Sequence, residues 1–520
     1  MLSHGKLLIT GSILAMLTVP GLAQELTVTT SLGQVAGTAS DYVDGVAVFR
    51  GIRYAADAGG ENRFLPPQPA PAIEGVFEAS AYGNSCYGLG YPPILMEEEG
   101  VDLDKSPPSE DCLFLNVWSP GLDEAAKRPV MVWLHGGGFT GGSGGSIRYD
   151  ASRMVSNQDV VVVTLNHRLA SLGFMDVSAI GGEDYADSGN AGMLDIVAAL
   201  KWVQENIEAF GGDPANVTVF GESGGGSKVT TLLSMPAAEG LFHRGIAQSG
   251  IATGAIAPDA AQASAKTVLD AAMVTDLAGL QSADVTTLVA NGNWGPVQSP
   301  SLPRGPFAPD ADPAGSSIPL MIGSNLTEAT FFNATPTAEV DAEGLKQAFA
   351  SGNFTGRIPA ERIDALMDAY RAELPDTPDH EVYQVIASDA WMTQLVTRVA
   401  NLRAEQGAPT YVYHFAMRQG ARDGALNVPH TSEIAYVFDN LDLAKALVGT
   451  PDPEDQALAD IVSTAWANFA RTGNPNGDGV PEWPQWTAEE HAVMVLDADP
   501  MSVVDPFGER LAALAEATKP

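Results

Sequence analysis

The strongest chemical signal in this 520-residue sequence is a serine enclosed by small residues. Residues 221–225 read GESGG, with Ser223 at the centre. The apolar run at residues 217–220 predicts a strand before it, and residues 224–233 predict a helix after it. A strand-to-helix turn of this kind is a nucleophile elbow, which lifts the serine hydroxyl clear of a sheet. The pattern therefore predicts a nucleophile, with an ordinary glycine-rich loop as the alternative.

A second glycine-rich motif, HGGGF at residues 135–139, directly follows an apolar run at residues 129–134. Backbone amides that point into a cavity can stabilise an oxyanion, and glycines allow the backbone to approach a ligand closely. A flexible turn is the alternative, since residues 141–145 are also rich in glycine. The position of the motif, upstream of the serine, favours an oxyanion hole.

A serine hydroxyl needs a base to take its proton, and hydrolases with this elbow have the chain order serine, acid, histidine. The histidines that follow the serine are His243, His380, His414, His430 and His491. His430 is favoured because it follows a strand and a turn. His243 comes too soon in the chain, and His414 lies inside a predicted strand.

The acid should follow a strand that lies between the serine and the histidine. Glu328 meets this condition, because it comes shortly after the apolar run at residues 319–323. Asp310 and Asp312 are poorer candidates, since they precede that run in a proline-rich loop. A single carboxylate is more often solvated than catalytic, so the residues alone leave the identity of the acid open.

The elements that must position these residues alternate along the chain as apolar strands and amphipathic helices. The predicted strands are 129–135, 160–165, 217–220, 245–248, 319–323 and 410–415, and the main predicted helices are 191–210, 224–233, 339–350, 360–374, 380–404 and 454–472. This alternation predicts an α/β fold with a large, mostly parallel central sheet flanked by helices. No linker divides the chain, so residues 24–520 are predicted to form one domain.

The N-terminal residues predict export. Lys6 precedes an apolar stretch at residues 7–19 that is too short to span a bilayer, and the small residues up to Ala23 fit a cleavage site. Residues 1–23 are therefore predicted to be a secretory signal peptide, with a retained membrane anchor as the alternative. The mature protein is predicted to be secreted or periplasmic and to make no stable membrane insertion.

The two cysteines of an exported chain favour a disulfide. Cys86 and Cys112 would close a loop of about 25 residues, which the chain-entropy estimate values at about 3–4 kcal/mol. Two free buried thiols are the alternative.

The composition is strongly acidic, with a formal net charge of −37. Such a chain repels nucleic acid and anionic membrane surfaces, so neither is a predicted partner. Part of the acidity lies in residues 97–104, inside the loop that the cysteines would close. We hypothesise that this acidic loop disfavours strongly anionic substrates; a merely solvated loop is the alternative.

Together the motifs resemble those of the type-B carboxylesterase/lipase family, which includes the cholinesterases. Residues 210–225 (FGGDPANVTVFGESGG) are similar to the serine signature of the family, and residues 110–117 (EDCLFLNV) to a second signature whose cysteine closes an early disulfide. Residues 323–328 resemble the acid motif, and residues 430–438 resemble the histidine motif. The resemblance extends over roughly residues 25–500.

The resemblance implies an α/β-hydrolase fold and a serine carboxylesterase that acts on a small-molecule ester without a metal or organic cofactor. It implies Ser223 as nucleophile, Glu328 as the orienting acid and His430 as the general base. The implied oxyanion donors are the backbone amides of Gly137, Gly138 and Gly224, the last standing where the family commonly has alanine.

Two classes of alternative remain after the resemblance. A lipase, or an amide or carbamate hydrolase, would use the same three residues and differ only in its pocket. A non-catalytic binding protein of the same fold is the other alternative, although such relatives typically lack a member of the triad. The sequence predicts no oligomeric state.

Overall fold

The computed structural model of this chain describes residues 26–89, 106–289, 292–332, 340–352, 354–355 and 358–519. The predicted signal peptide at residues 1–23 and the acidic loop at residues 97–104 lie outside the described residues. Among the helices in the described ranges, none combines the length and the apolar character that crossing a bilayer requires.

The strands in the described ranges are short and mostly buried. They are β1 (Thr27–Thr30), β2 (Gly33–Ala36), β3 (Thr38–Ala39), β4 (Ala47–Arg53), β5 (Val76–Glu78), β6 (Ser85–Cys86), β7 (Pro108–Ser109), β8 (Phe114–Ser119), β9 (Arg128–Leu134), β10 (Val161–Leu165), β11 (Gly212–Glu222), β12 (Arg244–Gln248), β13 (Leu320–Asn325), β14 (Thr410–Phe415), β15 (Ala492–Leu496) and β16 (Met501–Val504).

The α-helices of the same ranges connect these strands or follow them. They are α1 (Ser152–Gln158), α2 (Ala170–Phe174), α3 (Ser178–Gly181), α4 (Ala191–Asn206), α5 (Gly224–Leu232), α6 (Pro258–Ala271), α7 (Leu277–Ser282), α8 (Val285–Leu288), α9 (Ala342–Ser351), α10 (Ala360–Glu373), α11 (Asp379–Ser388), α12 (Gln394–Glu405), α13 (Ile434–Val437), α14 (Lys445–Val448), α15 (Pro453–Thr472) and α16 (Gly508–Ala517).

One large sheet organises the described part of the chain. Its eleven strands follow the order β16-β15-β14-β13-β12-β11-β9-β10-β8-β4-β3. The central pairs from β10 through β15 are parallel, and antiparallel pairs lie at the two ends. The prediction of a large, mostly parallel sheet flanked by helices is confirmed.

The hydrophobic core lies on both faces of this sheet, because successive side chains of a strand point to opposite faces. In β9, Val130 and Val132 pack on one face, in the cluster that also contains residues of α4. Met131 and Trp133 pack on the other face, in the cluster that contains residues of α15. Burial of both faces explains why the central strands are almost continuously apolar in sequence.

Most predicted elements agree with the structure to within a few residues, and two differ in ways that tertiary contacts explain. β11 begins at Gly212, five residues before the predicted strand, because the chain pairs with β9 as soon as Gly211 has turned it at φ 81°. The predicted helix 380–404 is divided into α11 and α12 by a π-helical turn at Asp389–Thr393. Asp389 accepts a hydrogen bond from the Tyr370 hydroxyl and pairs with Arg510, which satisfies its carboxylate at that turn.

The predicted disulfide between Cys86 and Cys112 is present, with an S–S distance of 2.01 Å. It joins β6 to the segment immediately before β8, so it connects the two-stranded sheet of β6 and β7 to the large sheet.

Candidate active site

Ser223 occupies a sharp turn between β11 and α5, with φ 57° and ψ −122°. The turn is so tight that a Cβ atom on Gly225 would lie 1.9 Å from the Leu134 carbonyl oxygen, and one on Gly250 would lie 1.8 Å from the Ser223 carbonyl oxygen. The Ser223 amide donates to the Gln248 carbonyl at 2.8 Å, which ties the turn to the end of β12. A positive φ at a residue other than glycine is strained, and such strain concentrates at functional sites.

The three glycines predicted to form an oxyanion hole lie close together beside this turn. Gly137 and Gly138 have φ values of 85° and 62°, which glycine adopts at little cost. A Cβ atom on Gly224 would lie 2.1 Å from the Gly138 carbonyl oxygen, so only glycine fits this approach. Within the described part of the chain, the amides of Gly137 and Gly138 donate to no protein acceptor, which leaves them available to a ligand.

His430 and Glu328 form a buried hydrogen-bonded pair. His430 Nδ1 lies 2.6 Å from Glu328 Oε2, and the side chains are 2% and 0% exposed. The other carboxylate oxygen accepts the Asn325 amide at 2.7 Å. Because the carboxylate can only accept, Nδ1 carries the proton, and the lone pair of the neutral ring is on Nε2.

Hydrogen bonds between the two loops that carry this pair hold it in place. Glu328 begins a 3₁₀ turn (Glu328–Phe332) just after β13. The Thr327 amide donates to the Val428 carbonyl at 3.1 Å, and Asn325 Nδ2 donates to the Pro429 carbonyl at 2.9 Å. Since β13 and β14 are parallel neighbours, their carboxyl ends bring the acid and the histidine to the same edge of the sheet.

The structure does not join His430 to Ser223 by a hydrogen bond. His430 Nε2 instead lies 3.1 Å from Glu222 Oε1, and neither of these two atoms has a hydrogen-bond partner among the described residues. Ser223 and His430 nevertheless line the same cavity. A catalytic hydrogen bond is often long or misaligned before substrate binds, so this geometry is compatible with a serine–histidine pair.

Carboxyl groups dominate the electrostatics around His430. Burial lowers the pKa of this histidine, but the charges of Glu222 and Glu328 and the hydrogen bond that His430 donates to Glu328 outweigh burial and raise it. Burial likewise raises the pKa of Glu222 and that of Glu433. Glu433 is held by Asn325 Nδ2 at 2.7 Å and by Gln248 Nε2 at 3.1 Å. This environment stabilises an imidazolium ion at His430.

A different set of buried groups lies behind the oxyanion glycines. Lys228 of α5 is fully buried and donates to the His135 carbonyl at 2.9 Å. Burial lowers the pKa of Lys228 to about 7 and that of His135 to about 3. The rings of His135 and His167 stack with centroids 4.8 Å apart.

A cavity of about 390 Å³ lies between the oxyanion glycines, Ser223 and His430. The residues that line it include the glycines of the HGGG loop, Glu222, Ser223, His430, Arg148, Tyr149, Phe331 and Phe332. Three aromatic rings surround His430, those of Phe331, Phe332 and Trp391, with centroids 5.7, 5.6 and 5.2 Å from that of the imidazole. Such a volume fits a small-molecule ligand.

Three of the other histidines after Ser223 have ordinary structural surroundings. His414 is buried in β14, and burial lowers its pKa to about 3. His243 Nδ1 accepts the Val217 amide at 3.1 Å. His491 stacks on Trp486 with ring centroids 4.7 Å apart.

Sequence reasoning missed several residues of this site. Glu222 had a usable signal, because it is a charged residue at the end of a buried strand, next to the serine. Arg148 and Trp391 had none, since they come 75 and 39 residues away from the closest predicted triad member. Only the fold brings Arg148 to the cavity and Trp391 to His430.

Comparisons with known proteins agree on one family. The model of the carboxylesterase family matches residues 24–512. A para-nitrobenzyl esterase of Bacillus subtilis is 35% identical, covering 93% of this chain and 97% of the relative. A cocaine esterase of Oryctolagus cuniculus is 34% identical, covering 88% of each chain. The crystal structure of a Geobacillus stearothermophilus carboxylesterase superposes with a TM-score of 0.79 at 36% identity, covering 94% of this chain and 100% of that chain.

Proposed function

This chain belongs to the carboxylesterase family, as the resemblance of its motifs predicted, and we propose that it is an exported serine carboxylesterase with Ser223, His430 and Glu328 as its triad. One observation carries the proposal. Ser223 lies in a strained elbow and faces the same cavity as a histidine whose Nδ1 is held by a buried carboxylate. A serine in an ordinary loop and a histidine with a purely structural role would have no reason to face the same cavity.

In the proposed acylation step, Ser223 Oγ attacks the ester carbonyl carbon while His430 Nε2 removes the hydroxyl proton. The amides of Gly137, Gly138 and Gly224 hold the developing oxyanion, and one such donor is typically worth about 10²–10³ in rate. The imidazolium then gives its proton to the leaving alcohol. The acyl group remains on Ser223.

In the proposed deacylation step, water attacks the acyl-enzyme while His430 again acts as general base, and the carboxylic acid leaves. Glu328 keeps the proton on Nδ1, so Nε2 is free to accept one in each step. The negative charges around His430 favour the imidazolium, which both tetrahedral intermediates require. The chemistry balances without a metal or an organic cofactor.

We include export and a single domain in the proposal. The Cys86–Cys112 disulfide supports an oxidising compartment, and the family match over residues 24–512 supports one domain in residues 24–520. Intact-mass analysis of the protein secreted by an expressing host tests export. A mature chain that starts after Ala23 is expected, and a chain that retains residues 1–23 would contradict the predicted cleavage.

The activity test is hydrolysis of p-nitrophenyl esters with acyl chains of increasing length, before and after treatment with an organophosphate. Ser223→Ala is expected to abolish turnover and labelling while the protein stays folded. Ser227→Ala is the matched control, because it removes a hydroxyl one turn along the same helix. Unchanged turnover in Ser223→Ala would overturn the assignment.

The same series separates the remaining alternatives. Preference for short acyl chains is expected for a carboxylesterase, whereas preference for long chains in emulsions indicates a lipase. Cleavage of p-nitroanilides or carbamates at comparable rates would indicate an amide or carbamate hydrolase. A folded protein that neither hydrolyses any ester nor takes the organophosphate label would be a binding protein.

A further inference from the structure

The proposed active-site cavity contains a buried arginine that the acyl-transfer mechanism does not use. Arg148 lies in a short 3₁₀ turn (Ile147–Tyr149), ten residues after Gly138, and is 6% exposed. It lines the cavity together with Ser223 and Glu222. Its guanidinium carbon lies 5.8 Å from the centroid of the Tyr149 ring.

Arg148 differs from the other buried arginines of the described chain in having no acceptor. The others bind a carboxylate or backbone carbonyls within normal hydrogen-bond distance: Arg63 with Glu110 at 2.6 Å, Arg168 with Asp195 at 2.7 Å, Arg510 with Asp389 at 2.8 Å, and Arg403 with the Ile318 carbonyl at 2.6 Å. Across the described residues, the guanidinium of Arg148 forms neither an ion pair nor a hydrogen bond. A buried charge without a partner is costly, and a ligand of opposite charge would remove that cost.

The acidic residues near Arg148 are engaged elsewhere. Asp150, two residues further along the chain, accepts the Trp118 indole at 3.3 Å and the Ser152 amide at 3.0 Å. Glu222 makes its close contact with His430 Nε2. Burial raises the pKa of Glu222 and the nearby charge of Arg148 lowers it, so the two groups attract each other although they form no ion pair or hydrogen bond.

The backbone of Arg148 is fixed, so the guanidinium approaches the cavity from a set position. Asn440 Nδ2 donates to the Arg148 carbonyl at 2.9 Å and to the Asp150 carbonyl at 3.2 Å. The Arg148 amide donates to the Ser146 hydroxyl. The planar guanidinium at the end of this side chain can bind a carboxylate through two parallel hydrogen bonds.

From these observations we propose that Arg148 is a specificity-determining residue that binds an anionic group of the substrate, so that the cavity accepts esters carrying a carboxylate near the scissile bond. The inference rests on the proposed function, because it assigns the substrate class of that same site. It also opposes the hypothesis that the acidic loop at residues 97–104 disfavours anionic substrates. The proposal predicts that a cation inside the cavity favours such substrates once they have entered.

The test compares kcat/KM for a neutral ester with that for anionic esters at neutral pH. p-Nitrophenyl hydrogen glutarate places the carboxylate on the acyl side, and 4-carboxyphenyl butyrate places it on the alcohol side; p-nitrophenyl butyrate is the neutral reference. Using the ratio of anionic to neutral kcat/KM removes any general loss of catalysis. Arg148→Met is expected to lower this ratio by about 10- to 100-fold for one of the two anionic esters, the size of a charge-assisted hydrogen bond.

Two further variants make the result specific. Arg148→Lys retains the charge but loses the planar fork, so an intermediate ratio is expected, and this variant also covers a folding failure of Arg148→Met. Arg153→Met is the matched control, because it removes the same charge from an arginine that pairs with Asp442 outside the cavity. Its ratios are expected to equal those of the unmodified protein.

The outcomes separate this inference from the proposed function. If Arg148→Met lowers the rates of neutral and anionic esters equally, Arg148 acts through its neighbours and the inference is overturned, while the esterase proposal stands. If no ester is hydrolysed by the unmodified protein, the esterase proposal fails. Calorimetric binding of the same esters to the unmodified protein and to Arg148→Met then decides the inference, and equal affinities would overturn it.

Discussion

The two sides of Ser223 contain buried ionisable groups of opposite type, carboxyl groups on one side and basic groups on the other. On the carboxylate side, Glu222, Glu328 and Glu433 surround His430 and raise its pKa. On the oxyanion side, Lys228 and His135 lie behind the oxyanion glycines, and burial lowers the pKa of both.

This difference matches the charges that acyl transfer creates. The proposed reaction moves a proton onto His430 and places negative charge on the substrate oxygen. The carboxylate side already favours the first change, and the glycine amides on the oxyanion side favour the second. Fixed charges and dipoles that need no rearrangement during the reaction lower its barrier. The site is therefore polarised before substrate arrives.

The largest expected effect comes from neutralising the acid that holds His430. In Glu328→Gln, the amide can donate to Nδ1 and stabilise the wrong tautomer, and a comparable change in a serine protease lowers kcat about 10⁴-fold. The measurement is kcat for p-nitrophenyl butyrate. Glu433→Gln provides the comparison, because Glu433 is equally buried but bonds Asn325 and Gln248 rather than the histidine. An equal loss in both variants would show that only the total charge matters.

A smaller effect is expected on the oxyanion side. A Cβ atom at Gly137 would lie 2.7 Å from the Gly141 carbonyl, so Gly137→Ala displaces the loop that presents the amides. Loss of one oxyanion donor corresponds to a fall in kcat of about 10²–10³ with little change in KM. Gly182→Ala is the control, because Gly182 has a similar φ of 76° with open space around it. A larger change in KM than in kcat would argue against an oxyanion role.

Lys228 is expected to make the free energy of unfolding depend on pH. Its folded pKa of about 7 lies below the ordinary value of 10.5. Between these values the unfolded chain binds more protons, so this residue makes the folded protein gain stability as pH rises from about 7 to about 10.5. Relative to Lys228→Met, the unmodified protein is expected to be about 1–3 kcal/mol more stable at pH 10 than at pH 7.

Urea unfolding of both proteins at the two pH values measures this double difference, in which other titrating groups cancel. Replacement of the exposed Lys201 by methionine is the control and should give no such difference. A double difference of zero would mean that Lys228 is charged in the folded protein at both pH values.

The smallest expected effect is a shift of the pH profile. Removing the charge of Glu222, which faces His430 Nε2 at 3.1 Å, destabilises the imidazolium and lowers the pKa of His430. The free base then exists at lower pH. In Glu222→Gln, the acidic limb of the kcat/KM profile is therefore expected to move to lower pH by about one unit. Glu239→Gln, at an exposed position, should leave the limb in place, and movement to higher pH would contradict the assigned electrostatics.

Local patterns predicted most of the framework of this protein. The strand Thr410–Phe415 has the predicted limits, and the elbow at Ser223 follows from a strand, small residues and a helix in immediate succession. These features depend on neighbouring residues, which a sequence displays directly. The residues alone leave the identity of the acid open, because the histidine that Glu328 binds lies 102 residues further along the chain.

The remaining features could not be predicted because they depend on how separate loops meet. Nothing in the sequence indicates that His430 Nε2 faces Glu222 rather than the serine hydroxyl, or that Arg148 enters the cavity without a partner. The extent of β11 and the division of the helix at residues 389–393 also depend on tertiary partners, namely β9 and Arg510. The catalytic roles of the triad residues stay predictions until the variants are measured.

The π-helical turn at Asp389–Thr393 determines how the surroundings of His430 can be changed. Trp391 lies in the turn, and its ring centroid is 5.2 Å from that of His430. A π-helical turn contains one residue more than the α-helical turn it replaces, and each residue of an α-helix advances the side chains by about 100°. The direction of the indole is thus set by the number of residues as well as by their types. Libraries of single-residue deletions across this turn would vary the position of the ring beside His430 in ways that substitution libraries never sample.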